Sequence, residues 1–219
     1  MDWELISSSL WPLLRGALTG TIPLTLASFA LGLALALVVA LMRLSRVSVV
    51  SGIARVYVSV IRGTPLLVQL FVIFYGLPSV GVTLDPWPSA IIAFSANVGG
   101  YAAEVIRAAI QSVPKGQWEA AHMIGMSNRL ALRRIILPQA ARVSVPPLSN
   151  TFISLVKDTS LASLILVTEL FREAQQIAAG TGEFMTLYVE AAVIYWVICL
   201  FLSSGQSVLE KRLDRYVAH

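Results

Sequence analysis

The sequence predicts an all-α integral membrane protein with five transmembrane helices, and three observations lead there. Apolar residues make up 57% of the chain and charged residues only 13%, against ~45–50% and ~25% in soluble domains. Five apolar stretches are long enough to cross a bilayer, which takes ~20 residues of helix. The Lys and Arg residues collect on one side of those stretches, as cytoplasmic loops do. The net charge of +4 is therefore a matter of topology, and nucleic acid is not an expected partner.

Taken in order, the opening MDWELISSSLW is acidic and aromatic. It lacks the basic start of a cleavable signal peptide and predicts a short amphipathic helix at the membrane interface. Spans are expected near residues 17–42, 56–77, 88–110, 139–167 and 186–208. The fourth contains Pro146, Pro147, Lys157 and Asp158, so a kink or break is expected there. With five spans, Arg43, Arg46, Arg55, Arg107, Lys115, Arg129, Arg133, Arg134, Arg142, Lys211, Arg212 and Arg215 fall on one side. The other side carries Arg15 and Arg172 with Asp2, Glu4, Asp85, Glu169, Glu173 and Glu183. This places the N-terminus outside and the C-terminus in the cytoplasm. No internal repeat or linker divides the chain, so residues 1–219 read as one domain.

Several chemistries find no support. Cys199 is the single cysteine, so there is no intrachain disulfide and no cysteine metal site. His122 and His219 are far apart and form no metal-binding pair. No phosphate-binding loop and no nucleophile elbow occurs. The chain is not expected to be an enzyme.

A polar, basic segment, EAAHMIGMSNRLALRRIILP, interrupts the apolar pattern on the cytoplasmic side. Pro114 suits a helix start, Glu119 lies in the early part of that helix, and Trp118, His122 and Gly125 follow at i, i+4 and i+7 on one face. Gly125 either ends the helix in a left-handed conformation or permits close backbone approach to another surface. Ser127 or Asn128 is positioned to cap a second short helix ending at Pro138. The segment is either a headgroup-lying helix or a slim helix that docks into a partner.

This segment resembles the signature of permease subunits of ATP-binding cassette (ABC) importers. That signature is Glu-Ala-Ala, three residues, Gly, nine residues, Ile, one residue, Leu-Pro, here Glu119, Ala120, Ala121, Gly125, Ile135, Leu137 and Pro138. RGTPLLVQLF, NVGGYAAEVIRAAI, PKGQWEAA and SLVKDTSLAS extend the likeness to the polar amino acid importer permeases, over nearly the whole chain. Within that family YGLP, LDPWPSA, ILPQAARVSVPPLSNTFISLVKDTSLAS and ELFREAQQI are similar to bacterial L-cystine permeases. The resemblance implies a type I importer permease fold whose loop at residues 114–138 is the coupling helix. Gly116, Trp118, His122 and Arg129 join the signature residues as the expected ATPase contacts. It implies two ATPase subunits carrying ATP and magnesium, a second permease (most simply a second copy), and a periplasmic or lipid-anchored binding protein. It implies no cofactor in this chain. Arginine, glutamine or histidine are the alternative substrates, and an ion-coupled secondary transporter is the alternative mechanism.

Polar groups at bilayer depth are costly and mark candidate sites. Thr64 and Pro65 predict a kink in the second span, with Gln69 a turn on. Asn97, Tyr101 and Glu104 share a face of the third span. Glu104 either pairs with Arg107 or faces a cavity, and Arg62 is expected to snorkel to the interface. Lys157, Asp158, Thr159 and Ser160 form a polar cluster in the fourth span. Adjacent helical side chains point ~100° apart, so Lys157 and Asp158 either meet different partners or lie where the helix unwinds. The cluster serves either an internal ion-pair network or a ligand bearing both an ammonium and a carboxylate.

Overall fold

The structure is a computed structural model that describes residues 3–214, with side chains through residue 212. Asp2, Arg215 and His219 lie outside the described residues. Among the described residues ten α-helices run in the order α1 (Trp3–Gly16), α2 (Ile22–Arg43), α3 (Ser48–Gly63), α4 (Leu66–Phe71), α5 (Pro86–Ser112), α6 (Lys115–Met123), α7 (Asn128–Ala131), α8 (Leu137–Asp158), α9 (Leu170–Thr181) and α10 (Phe184–Asp214). Three continuous helices are long and apolar enough to cross a membrane: Trp3–Arg43, Pro86–Ser112 and Phe184–Arg212. Two bent pairs qualify as broken spans: Ser48–Gly63 with Leu66–Val80, bent by 107°, and Asn128–Ile165 with Leu170–Thr181, bent by 47°. Counting each pair as one span gives five.

Prolines explain the irregularities within these helices. Wide π-helical turns occupy Ala17–Thr21, Val72–Gly76 and Leu132–Ile136. In each, the next residue (Ile22, Leu77 or Leu137) donates its N–H to the carbonyl five residues back. The residue after that is Pro23, Pro78 or Pro138. A proline ring collides with the carbonyl four residues before it in a regular helix. Widening the turn just upstream removes that collision and lets the helix pass. This corrects the expectation that a helix ends at Pro138: the chain continues through the wide turn into α8. It also corrects the separate interfacial helix at the N-terminus, because α1 and α2 form one helix from Trp3. One face of its first turns packs on the bundle, where Leu13 is fully buried and the Ser9 hydroxyl donates to Glu190 Oε2 at 2.6 Å, while Trp3 and Trp11 stay exposed.

Pro146 and Pro147 sit inside α8 without ending it. Proline's φ is already helical, and packing on neighbouring helices sustains such sites in membrane proteins. The break lies farther on. A 3₁₀ turn covers Thr159–Ile165, and Leu166 turns the chain at φ 67° before α9.

The core forms where α2 crosses α5. A Cβ on Gly32 would lie 2.6 Å from Val98 Cβ and 3.0 Å from Ser95 O, so the helices meet at a separation only a small residue allows. Tyr57 of α3 donates to Ala96 O at 2.6 Å, and Phe94 is fully buried at this crossing.

Candidate functional site

The second span breaks at Gly63-Thr64-Pro65. Pro65 removes an N–H and bars Thr64 from the helical region, and both residues are extended, at φ −122°, ψ 145° and φ −63°, ψ 139°. The carbonyls orphaned at the end of α3 need donors. Thr64 Oγ1 donates to Val60 O at 2.8 Å. Gln69 Nε2 reaches back to Ile61 O at 2.8 Å and Thr64 O at 3.1 Å. Its Oε1 accepts from Asn97 Nδ2 at 3.1 Å. Gln69 thus closes the corner and fixes the Asn97 amide.

That corner opens a cleft of about 420 Å³. Thr64 and Pro65 form one wall, Asn97 and Tyr101 of α5 a second, and Asn150, Thr151, Ser154 and Asp158 of α8 a third. Asp158 makes no hydrogen bond or ion pair among the described residues. Its neighbour Lys157 faces a different groove of about 550 Å³ with Ser160, Tyr195, Trp196 and Cys199. Thr159 is fully buried and donates to Val156 O at 2.7 Å, while Ser160 donates to Lys157 O at 2.7 Å.

Thr64, Asn97, Tyr101 and Asp158 therefore share one cleft. Gln69 stands behind it, and Lys157, Thr159 and Ser160 stand apart from it. Glu104 also lies outside, held by Arg43 at 3.0 Å and Arg107 at 2.8 Å. Arg62 is exposed and lies against Tyr101. Its guanidinium carbon stands 5.5 Å from the Tyr101 ring centroid. Asn150, Thr151 and Ser154 were not singled out from the sequence. The signal was there, since Asn150, Ser154 and Asp158 recur every four residues on one face of a helix.

At the end of the bundle where α5 finishes, the loop of residues 114–138 folds as two short helices. α6 ends in a Schellman motif: Gly125 N–H donates to His122 O at 2.9 Å, Met126 N–H to Ala121 O at 3.0 Å, and Gly125 has φ 80°. Gly125 thus lies beyond the helix, and the face begun by Trp118 and His122 stops at Met123. Those two rings stack at 6.5 Å, and His122 Nε2 meets Asn128 Oδ1 at 2.6 Å. Ser127 is the cap of α7, accepting from Leu130 N. Trp118, Ile135 and Leu137 pack against the bundle core, and Ala121 is buried. Gly116, Glu119, Ala120, Arg129 and Pro138 are exposed. At the tip, Met123 and Ile124 are 87% and 74% exposed.

Residues 28–215 match the family described as binding-protein-dependent transport system inner membrane component. The chain belongs to that family. It is a multi-pass inner-membrane permease, a transport subunit and not an enzyme, and membership implies an ATPase and a substrate-binding protein as partners. The permease is 62% identical over 219 residues to the L-cystine transport system permease protein TcyB of Bacillus subtilis (strain 168), covering 100% of this chain and 94% of that one. Its fold matches a solved amino acid ABC transporter with histidines at TM-score 0.91 and 35% identity, over 97% of this chain and 99% of the other. A chain of the MetNI methionine ABC transporter shares the fold at TM-score 0.72 and 18% identity, over 97% and 99%.

Proposed function

We propose that this permease carries L-cystine into the cell, driven by ATP hydrolysis on a separate ATPase. The observation that carries the reading is the polar cleft at the α3–α4 corner. A carboxylate unpaired among the described residues, two amides and four hydroxyl groups converge on a space of about 420 Å³ inside an apolar bundle. Such groups are expensive at membrane depth unless a polar solute uses them. An amino acid's ammonium suits Asp158, and its remaining polar atoms suit Thr64, Asn97, Thr151 and Ser154. The choice of L-cystine follows the 62% identical relative.

Residues 1–219 act as one permease domain. Residues 114–138 are its coupling loop, with the exposed Met123, Ile124 and Gly125 presented to a cleft of the ATPase and the Glu119-Ala120-Ala121 turn beside them. The basic loops support an orientation with this end in the cytoplasm and the N-terminus outside. Two copies of the permease, two ATPase subunits holding ATP and magnesium, and an external amino-acid-binding protein complete the transporter. ATP binding draws the ATPases together, the coupling loops follow, and the cleft turns toward the binding protein. Hydrolysis returns it toward the cytoplasm.

The test is ATP hydrolysis by the reconstituted complex, with its binding protein, across a panel of amino acids. Stimulation by L-cystine but not by arginine, glutamine or histidine is expected. Stimulation by one of the others in its place overturns the substrate, and no response to any amino acid overturns the class.

A further inference from the structure

We propose that Arg62 is the carboxylate receptor of the cleft, working opposite Asp158 on a zwitterionic substrate. This rests on the reading of the cleft as an amino acid site. Arg62 lies in the last turn of α3, two residues before Thr64. The 107° bend carries α4 away from it, so no continuing helix covers the guanidinium. The side chain is exposed and lies against Tyr101, 5.5 Å from the centroid of a ring that lines the cleft. No carboxylate among the described residues pairs with it.

Three other cations of the spans are turned elsewhere. Arg43 and Arg107 are held by Glu104, and Lys157 faces the separate groove with Tyr195 and Cys199. A cation resting on an aromatic face at an exposed site is held more weakly than one in a bidentate guanidinium–carboxylate pair. A carboxylate entering beside Tyr101 therefore takes Arg62 from the ring. Asp158 lines the cleft and Arg62 stands beside it against Tyr101, so a substrate whose carboxylate draws Arg62 from the ring meets one charge of each sign, the complement of an amino acid's main-chain end. Arg62 then discriminates: an amine without a carboxylate satisfies Asp158 but leaves the guanidinium unanswered.

The test is binding of radiolabelled L-cystine to the permease–ATPase complex in lipid nanodiscs without the binding protein. Cystamine, which keeps the disulfide and both ammonium groups but has no carboxylates, is the competitor. In the wild-type complex L-cystine should bind more than about tenfold tighter than cystamine. Arg62→Gln should bring that ratio close to one by weakening L-cystine alone. Arg62→Lys, which keeps charge without the planar fork, should keep part of the preference, and it carries the test if the Gln variant fails to assemble. Lys157→Gln should leave the ratio unchanged. A normal ratio in both Arg62 variants, or its collapse in Lys157→Gln, overturns the proposal alone. A wild-type complex that binds no L-cystine overturns the substrate reading and the proposal with it.

Discussion

Gln69 donates across the α3–α4 break to Ile61 O and Thr64 O and accepts from Asn97. Replaced by Leu, it leaves those groups without this partner at the break. Stability should fall by about 1–3 kcal/mol, read as a lower thermal midpoint in detergent, and substrate binding should fall with it because Thr64 and Asn97 lose their setting. Asp158→Asn, by contrast, should weaken substrate binding while leaving the midpoint within error, since Asp158 has no hydrogen bond or ion pair among the described residues to lose. The sequence made these residues visible and left their roles ambiguous. A polar group in an apolar run must be satisfied, but a protein partner and a cavity satisfy it equally well. Glu104 shows the ambiguity resolved by packing, since Arg43 arrives from α2, 61 residues away in sequence. Lys157 and Asp158 show it resolved by rotation. Their divergence followed from helix geometry, but which of them meets the cleft depends on how α8 seats against α5.

At the scale of helices, the apolar runs located the membrane segments, and the third and fifth lie close to where they were expected. What the runs did not reveal was continuity. Hydropathy registers a proline as a breaker, yet three helices pass theirs by widening one turn, and α8 holds two in succession. Breaks fall instead where the residue before a proline is driven extended, at Thr64, or where a left-handed residue bends the chain, at Leu166. The junction of the wide turn before α2 with the segment before α9 is tight. A Cβ on Gly20 would lie 2.5 Å from Thr168 O and 2.6 Å from Glu169 Cα. Glu169 there is fully buried and caps α9 through Phe171 N and Arg172 N while accepting from Tyr195 at 2.7 Å. Gly20→Ala forces backbone apart at this point and should cost about 1–3 kcal/mol, again read from the thermal midpoint. Gly125 offers the opposite test. A Cβ added there would meet nothing within 4 Å, but its φ of 80° excludes a β-branched residue without strain. Gly125→Val should spare the thermal midpoint of the membrane bundle and abolish substrate-stimulated ATP hydrolysis. Unchanged stimulation would show that the loop conformation does not transmit coupling.

For the molecule as a whole, the cleft and the loop of residues 114–138 lie on the same two long elements. α5 carries Asn97 and Tyr101 and runs directly into the loop, and α8 leaves the loop and ends at Asp158. Gln139 at the start of α8 donates to Gln117 of α6 at 3.3 Å, tying the loop to the helix that reaches the cleft. Displacement of the loop therefore moves two of the three cleft walls, while α3 and α4 can remain behind at their corner. The overall architecture was legible because lipid imposes a strong pattern on sequence. The cleft was only partly legible because it is assembled from three spans and owes its shape to a bend. The most direct test of the central claim is uptake of radiolabelled L-cystine by liposomes containing the permease and its ATPase, with binding protein outside and ATP inside. The account predicts uptake that requires hydrolysable ATP, persists when ion gradients are collapsed, and is lost in Asp158→Asn. Uptake that proceeds without ATP and stops when the ion gradient is collapsed would contradict it.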